Sequence, residues 1–311
     1  MKLSILVTTY NQQDYISECI RSLITCLNHV SHDFEILIGN DKSTDNTEAM
    51  IKKLCIELRN ENIKTYNYEK NIGGLKNIEY LLKKSKGDYV LIIEGDDFYN
   101  SSDYFNEAIE FLDNNDQSFI SSGSFMLKEG QLINNPLNIF KNFKLEFKHL
   151  ALGNFIQMGT VIFKRSSLLE LPEYFFNLHL GDWPLLLILL NQGQGYYLNK
   201  KPFVYRIHGG GAWALKHRSK QICSTIYTTE TIIRSCRFRK KNVTYLMRYL
   251  SYLYTRFYIR YFLSWWTERS YDLHDFQNLS ISNCFKSKIT FLYYLIFYVF
   301  DKISFSFFKK Y

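Results

Sequence analysis

The chain has 311 residues, of which 46% are hydrophobic and 22% charged. These values exclude a disordered chain and an ordinary polytopic membrane protein, and the length allows one large domain or one domain with an appendage. The net charge of +8 is unevenly divided: residues 200–311 carry 20 Lys/Arg against 5 Asp/Glu, or +15, which leaves −7 for residues 1–199. The six cysteines show no Cys-x-x-Cys spacing, which argues against a zinc site or a disulfide framework.

Strands and helices alternate along the first hundred residues. The predicted strands are Lys2–Thr9, Phe34–Gly39, Ile63–Tyr68 and Tyr89–Glu94, and the predicted helices are Gln12–Asn28, a second one capped by Ser43 or Thr44, and Gly73–Lys84. This order predicts right-handed crossovers and a mainly parallel sheet. Ligands of such sheets bind at the carboxyl ends of the strands.

Each of these four predicted strands is followed by polar residues. They are Thr9-Tyr10-Asn11, Asn40-Asp41, Glu69–Gly74 and Glu94–Asp97. The carboxylates of Glu94, Asp96 and Asp97 would repel one another unless a cation such as Mg²⁺ or Mn²⁺ lay between them, although a solvated turn is the simpler alternative. No Gly-x-Gly-x-x-Gly follows the first strand and no phosphate-binding loop motif occurs, which argues against dinucleotide-binding and ATPase folds.

The middle of the chain continues the alternation less regularly. We predict a helix at Ser102–Asn114, a strand at Phe119–Met126, a polar connection through Gln131–Asn142, a strand at Gly159–Arg165, an apolar helix at Leu185–Leu190 and a strand ending at Tyr205–His208. Asp182 precedes the apolar helix, where a helix cap is an equally good interpretation. The three glycines from Gly209 to Gly211, followed by Trp213, are typical of a hinged lid.

Six motifs in order resemble those of family 2 glycosyltransferases. They are Ser4–Asn11, Glu35–Thr47, Asn71–Gly73, Glu94–Asp96, Asp182 and Tyr205–Trp213. The resemblance covers residues 1–217 and implies the GT-A fold, an α/β Rossmann-like architecture with a mainly parallel central sheet flanked by helices. It also implies inverting sugar transfer from a nucleotide-diphospho-sugar. Three positions depart from the family pattern: Asn40 and Glu94 replace commoner aspartates, and Lys76-Asn77 replaces Ala-Arg-Asn.

The resemblance assigns roles to individual residues. Tyr10 would stack on the base, Asp41 would accept the imide N–H of uracil, Asp96 and His208 would bind Mn²⁺ or Mg²⁺, and Asp182 would be the general base. The donor-binding set it implies is Thr9, Tyr10, Asn11, Asp41, Asn71, Gly73, Lys76, Glu94, Gly95, Asp96 and Trp213. For Tyr10 and Asp41 the alternative is ordinary loop polarity, and a lone histidine is more often structural.

Residues 218–311 form a second predicted region, a helical and aromatic-rich extension. Tyr245–Trp266 contains ten aromatic residues and three charges, and Ile289–Phe300 contains no charge over twelve residues, which is too short to span a bilayer. This composition favours association with an anionic membrane surface, with packing on the catalytic domain or on a second subunit of a homo-oligomer as the alternative. Nucleic acid is disfavoured because no dense basic stripe occurs.

The function that the sequence favours is a metal-assisted glycosyltransferase with a UDP-linked donor and a glycan or lipid-linked acceptor. The short apolar run after Met1 does not resemble a signal peptide, which predicts a cytoplasmic site at the inner face of the cytoplasmic membrane. Two rival hypotheses remain. A sugar-nucleotide nucleotidyltransferase would need a glycine-rich basic loop after the first strand, and a non-catalytic scaffold would not need Asp96, Asp182 and His208.

Overall fold

The computed structural model describes residues 2–210, 218–235 and 238–268. The chain divides into two compact units, residues 1–211 and 212–311, each defined by the contacts within it. The predicted domain boundary at residue 217 stays a prediction. Trp213 and the apolar run Ile289–Phe300 lie outside the described residues.

The first unit alternates strands and helices over most of its length. Its strands are β1 (Leu3–Thr9), β2 (Phe34–Asn40), β3 (Ile63–Asn67), β4 (Tyr89–Glu94), β5 (Phe98–Tyr99), β6 (Phe119–Lys128), β7 (Gln131–Asn134), β8 (Phe143–Leu145), β9 (Ile162–Lys164) and β10 (Gly195–Ile207). Its helices are α1 (Ile16–Leu27), α2 (Thr47–Leu58), α3 (Gly74–Lys84), α4 (Phe105–Asp113), α5 (Phe147–Leu150), α6 (Arg165–Leu169) and α7 (Asp182–Gln192), with short 3₁₀ helices at Met158–Thr160 and Glu173–Asn177.

All ten strands belong to one sheet, in the order β3-β2-β1-β4-β9-β6-β10-β5, with β7 paired to β6 and β8 paired to β10. The pairs β1–β2, β1–β4, β2–β3 and β6–β10 are parallel. The apolar faces of α1, α2 and α4 pack on this sheet and close a core that includes Ile5, Leu23 and Phe105, all fully buried. The fold class, a mainly parallel α/β sheet flanked by helices, is therefore confirmed.

Several boundaries differ from the predictions. Neither Ser43 nor Thr44 caps α2, which begins at Thr47 after Asn46 because the intervening residues form a turn held by Asp45. The predicted connection Gln131–Asn142 contains a strand, β7, since its backbone pairs with β6. The predicted strand Gly159–Arg165 is shorter, because Met158–Thr160 forms a 3₁₀ turn.

The second unit contains α8 (Arg218–Ser235) and α9 (Lys240–Glu268). Their contact is apolar and includes Ile222, Ile226, Leu250, Leu253 and Tyr254. The Tyr254 hydroxyl donates a hydrogen bond to Glu230 across the pair. Within the part of the chain that the structure describes, no helix has the length and apolarity needed to cross a membrane.

Candidate active site

The carboxyl ends of β2, β1 and β4 meet at one edge of the sheet. In the parallel ladders Thr9 lies beside Asn40, and Thr8 lies beside Glu94. The backbone N–H of Asp41 donates to the Thr9 carbonyl at 2.9 Å, which fixes the loop after β2 against the end of β1. The polar residues predicted after these strands therefore lie together, as expected for the ligand-binding edge of a parallel sheet.

Gly95 allows the chain to turn sharply after β4. Its N–H donates to the Thr8 carbonyl at 2.9 Å. A Cβ atom at this position would lie 2.7 Å from Gln12 Oε1 and 2.8 Å from Ile16 Cδ1, so a larger residue would require these side chains to move. Directly after the glycine, Asp96 and Asp97 are buried, with 8% and 6% of their surface exposed.

Asp96 and His208 are in direct contact. His208 Nε2 lies 3.0 Å from Asp96 Oδ2, and His208 Nδ1 accepts the Gly210 N–H at 3.2 Å. Because Nδ1 is the acceptor, Nε2 carries the proton that is donated to Asp96. The other oxygen, Asp96 Oδ1, is buried and has no hydrogen-bond partner. A buried carboxylate oxygen without a partner is energetically costly unless a ligand or cation satisfies it.

Arg206 organises this part of the site, a role that the sequence motif did not reveal. Its Nε donates to the Asp96 carbonyl at 2.9 Å and its backbone N–H donates to Asp97 Oδ1 at 2.8 Å. Its guanidinium also pairs with Glu18 of α1 at 2.5 Å and lies 4.9 Å from the Tyr15 ring centroid. Tyr15 and Glu18 are three residues apart, so they lie on one face at the start of a helix, but only the folded structure shows what this face contacts.

Asp182 lies at the amino end of α7, within the electrostatic reach of the β4 carboxylates. Desolvation and the negative charges of Asp96 and Asp182 raise the pKa of Glu94 to about 7; since Glu94 itself is exposed to solvent, we give more weight to the two charges. Desolvation also raises the pKa of Asp182, while hydrogen bonds from Trp183 N–H and the Asn154 side chain, at 2.9 Å, oppose the rise. Gly181, not Asp182, occupies the cap position of α7. Asn154 has no recognisable sequence signal.

Tyr205, on β10, lies within electrostatic reach of the same carboxylates. Burial raises its pKa to about 12, and the charges of Asp97, Glu94, Asp96 and Asp182 contribute. Four carboxylates from the end of β4 and the start of α7 thus act on one phenol. The site thus brings several carboxylates close to the Arg206 side chain, whose Nε donates to the Asp96 carbonyl.

Asp41 is buried and holds the next loop in place. Its two carboxylate oxygens accept the backbone N–H groups of Ile72 and Gly73 at 2.7 and 2.8 Å. The Asn71 side chain donates to the Asp41 carbonyl at 3.1 Å. Gly73 has a φ of +87°, a conformation that favours glycine. Asp41 and the Asn-x-Gly loop, far apart in sequence, therefore form one unit.

The remaining predicted donor residues surround this unit. Thr9 is buried and its hydroxyl has no hydrogen-bond partner, whereas Tyr10 is 45% exposed. Asn11 has a φ of +53°, and its side-chain oxygen accepts the Thr44 N–H at 2.8 Å. The Lys76 ammonium group forms an ion pair with Glu79 on its own helix at 2.9 Å, so it would have to leave this pair to bind a phosphate. The roles of these residues stay predictions.

The residues present fit a divalent cation only in part. Asp96 offers a buried oxygen without a partner, and the imidazole of His208 lies next to it. No group of three or more His, Cys, Asp or Glu side chains is arranged to hold a metal ion among the residues described. The protein itself thus supplies two candidate ligands, and the remaining ligands would have to come from a bound anion and water.

Known proteins resemble this chain in sequence and in fold. The family model "Glycosyl transferase family 2" matches residues 4–171. TarS of Staphylococcus aureus, a poly(ribitol-phosphate) beta-N-acetylglucosaminyltransferase, is 34% identical over 114 residues, which are 36% of this chain and 19% of TarS. WfaP of Escherichia coli, a UDP-Glc:alpha-D-GlcNAc-diphosphoundecaprenol beta-1,3-glucosyltransferase, is 27% identical over 225 residues, which are 70% of this chain and 81% of WfaP.

Two solved structures share the fold. TarS 1-349 in complex with UDP-GlcNAc matches with a TM-score of 0.60 and 19% identity, over 82% of this chain and 72% of that one. The mannosyltransferase PcManGT of Pyrobaculum calidifontis, in complex with GDP-Man and Mn²⁺, matches with a TM-score of 0.63 and 15% identity, over 97% and 87%. Because the family model covers more than half of the sequence, this chain belongs to glycosyl transferase family 2.

Proposed function

We propose that the protein is an inverting glycosyltransferase that moves a sugar from a nucleotide-diphospho-sugar to a hydroxyl group. The observation that carries this proposal is geometric. After β4, buried Asp96 contacts His208 and keeps one side-chain oxygen without a partner, and the charge of Asp182 from α7 reaches the neighbouring Glu94. Glu94 and Asp182 are 88 positions apart in the sequence. Family membership supports the proposal and leaves the nucleotidyltransferase hypothesis without support of its own.

The donor we favour is UDP-linked. TarS was solved with UDP-GlcNAc, and the name of WfaP specifies UDP-Glc, although PcManGT was solved with GDP-Man. In this chain the exposed ring of Tyr10 is available for stacking on a base. Each carboxylate oxygen of Asp41 accepts one backbone N–H and retains one lone pair, so a third hydrogen bond from a base is chemically allowed.

A divalent cation fits the proposal through Asp96 and His208. Asp96 Oδ1 would be the first ligand because it is buried and has no partner. His208 would contribute through Nε2 only after giving up its hydrogen bond to Asp96 Oδ2. When bound, such a cation supplies electrostatic stabilisation of the diphosphate leaving group. Arg206 holds the Asp96 backbone in position for this role.

Asp182 is the proposed general base. Desolvation raises the pKa of its carboxyl group, which makes the ionised form a stronger proton acceptor. The Asn154 side chain fixes one carboxylate oxygen at 2.9 Å, and the carboxylate would receive the proton of the acceptor hydroxyl. As that oxygen attacks the anomeric carbon from the face opposite the diphosphate, the bond to the diphosphate breaks and the configuration inverts.

The acceptor is proposed to be a glycan or a lipid-linked glycan. The name of WfaP specifies a diphosphoundecaprenol-linked substrate, and that of TarS specifies poly(ribitol-phosphate). The matched stretch spans only about a fifth of TarS, so this acceptor class is our proposal for this chain. Association of residues 218–311 with an anionic membrane at the cytoplasmic face, and formation of a homo-oligomer, belong to the same proposal.

The decisive experiment incubates the full chain with a panel of radiolabelled UDP- and GDP-sugars, with Mn²⁺, Mg²⁺ or EDTA, and measures free nucleotide diphosphate and the labelled product. We expect cation-dependent UDP release with one UDP-sugar and inversion at the anomeric carbon. A nucleotidyltransferase would instead release pyrophosphate from a nucleoside triphosphate and a sugar phosphate. A scaffold would release neither product and would show no cation-dependent donor binding.

A further inference from the structure

Four large apolar side chains project into solvent from residues 128–140, which we call the hairpin segment. The exposed fractions are 52% for Leu132, 41% for Ile133, 50% for Leu137 and 74% for Phe140. β7 pairs with β6 alone, so its outer edge also presents backbone polar groups. Single exposed apolar residues are common on proteins, but four within nine positions, in an edge strand and the loop after it, indicate a surface that is covered in use.

The two apolar side chains of β7 lie on opposite faces of the hairpin. Leu132 is paired with Leu127, and the next residue, Ile133, is paired with Met126. Neighbouring residues of a strand point to opposite faces, so Leu132 and Ile133 project in opposite directions. A rigid protein partner docked on the hairpin would cover one face and leave the other in water. A lipid interface surrounds an inserted hairpin and covers both faces.

The charges around the hairpin segment are mainly positive. From Lys128 to Lys144 the sequence contains three lysines and one glutamate, Glu129, which lies 3.9 Å from the Lys128 ammonium group. The Lys201 ammonium group lies 5.9 Å from the Phe140 ring centroid and donates to the Asn134 side chain at 2.8 Å. Lysines beside exposed apolar residues are typical of contact with anionic lipid. Two copies paired through this surface would instead bring lysines close together.

The hairpin turn lies at the same sheet edge as the candidate active site. Lys128 is paired with Ile207 in the parallel β6–β10 ladder, and the residue after Ile207 is His208, which contacts Asp96. We propose that the hairpin segment inserts into the headgroup region of an anionic membrane and thereby turns the active-site edge toward lipid-linked acceptors. The choice of a lipid-linked acceptor rests on the proposed function; the membrane contact does not.

The test measures binding of the full chain to phosphatidylglycerol and phosphatidylcholine vesicles by flotation. The variant Leu132→Ser/Phe140→Ser removes one apolar side chain from β7 and the most exposed one of the segment. The matched control Ile56→Ser/Leu169→Ser removes two side chains that are 73% and 51% exposed elsewhere in the first unit. We expect the hairpin variant to bind phosphatidylglycerol vesicles about tenfold more weakly than the control, since affinity follows the apolar area inserted.

Hydrogen exchange locates the contact independently of any binding by residues 212–311. We expect peptides that contain residues 128–140 to exchange more slowly with phosphatidylglycerol vesicles present, and to be unchanged with phosphatidylcholine. If thermal melting shows that the serine variant does not fold, Lys128→Glu/Lys141→Glu replaces it, because both lysines are exposed. Binding equal to that of the control, or no protection of these peptides, would overturn the proposal.

Two further outcomes are also decisive. A dimer in sedimentation velocity that the hairpin variant converts to a monomer, with vesicle binding unchanged, would assign the surface to a second copy instead. Hydrolysis of the sugar donor, measured without vesicles, separates the two proposals. If the wild-type chain hydrolyses no donor, the glycosyltransferase activity is contradicted. If a hairpin variant hydrolyses the donor but no longer binds vesicles, the membrane contact is supported.

Discussion

Several residues at the active-site edge have buried side-chain oxygens without a hydrogen-bond partner. Asp96 is 8% exposed and has one oxygen without a partner, while Thr9 and Gln12 each have a buried side-chain oxygen in the same condition. Natural proteins satisfy nearly all buried polar atoms, so such a group of unsatisfied atoms at a ligand-binding edge indicates that a ligand completes the site. Asp182, fixed by Asn154, is the residue whose removal tests the chemistry most directly.

Asp182→Asn should lower kcat by about 10²- to 10⁴-fold, because the amide accepts no proton from the acceptor hydroxyl. Donor affinity, measured by calorimetry with UDP, should change little, since the substitution is close to isosteric. Asp116→Asn, an exposed position in the loop before β6, is the control. A kcat within a few-fold of wild type would remove Asp182 from the role of general base.

Gly95→Ala should distort the turn that presents Asp96. The added Cβ atom would lie 2.7 Å from Gln12 Oε1, 2.8 Å from Ile16 Cδ1 and 3.1 Å from Thr9 Cβ. We expect a loss of roughly 1–3 kcal/mol in the free energy of unfolding, together with weaker UDP binding. Gly74→Ala is the matched control, because nothing lies within 4 Å of its Cβ position. Equal melting temperatures and UDP affinities for the two variants would contradict this account.

Loops between elements depend on contacts that bridge distant parts of the chain. Asp41, after β2, accepts the N–H groups of Ile72 and Gly73, before α3. An asparagine at this position keeps one acceptor oxygen and places an NH₂ group against the second N–H. Asp41 therefore acts as a positioning residue for the Asn-x-Gly loop, whatever it contributes to binding of the base.

Asp41→Asn should lower both the melting temperature and UDP affinity. Hydrogen bonds to charged groups contribute roughly 1.5–3 kcal/mol, and one of the two is lost. Differential scanning calorimetry with and without UDP measures both effects, and exposed Asp116→Asn again serves as the control. If Asp41 acted on the base alone, UDP affinity would fall while the melting temperature of the ligand-free protein stayed unchanged.

The elements were predictable where burial sets the pattern. The strand Tyr89–Glu94 and the helix ending at Lys84 agree with the prediction, since continuous apolar runs and helical periodicity are local signals. β7 was missed because Leu132 and Ile133 are both exposed, and thus give no alternation of buried and exposed side chains. The contacts of Arg206 with Glu18 and Asp96, and of Asn154 with Asp182, depend on long-range packing that carries no local signal.

The two ends of the parallel strands differ in role: the carboxyl ends form the candidate active site, and the amino ends contribute to stability. The carboxyl edge contains Asp97, whose pKa is raised well above its ordinary value because burial and the neighbouring charge of Asp96 disfavour ionisation. Glu35 lies at the amino end of β2 and is fully buried, but both of its carboxylate oxygens accept hydrogen bonds. It accepts hydrogen bonds from Ser4 at 2.8 Å, Lys86 N–H at 2.7 Å and Lys64 at 3.0 Å. Substitution here should affect stability without affecting chemistry.

Glu35→Gln should therefore destabilise the protein in a pH-dependent manner. Burial alone would raise the pKa of Glu35, but the hydrogen bonds from Lys64, Ser4 and Lys86 outweigh it, so the folded-state pKa lies below the ordinary value. The ionised carboxylate consequently stabilises the fold fully above the unfolded pKa of about 4.3, and this contribution is lost as the pH falls through the folded pKa.

Thermal melting at pH 7 and at pH 3 measures this difference. We expect the variant to be about 1–3 kcal/mol less stable than wild type at pH 7, and the gap to narrow as the pH falls below the unfolded pKa toward the folded one. Glu61→Gln, an exposed position in the loop before β3, should show no such pH-dependent gap. Because Glu35 lies at the sheet edge opposite Asp96, kcat for sugar transfer at a temperature well below melting should stay at the wild-type value. A gap that widens toward acid would reverse the sign we assign to the Glu35 pKa, and a loss of kcat without destabilisation would show that the two edges are not separate.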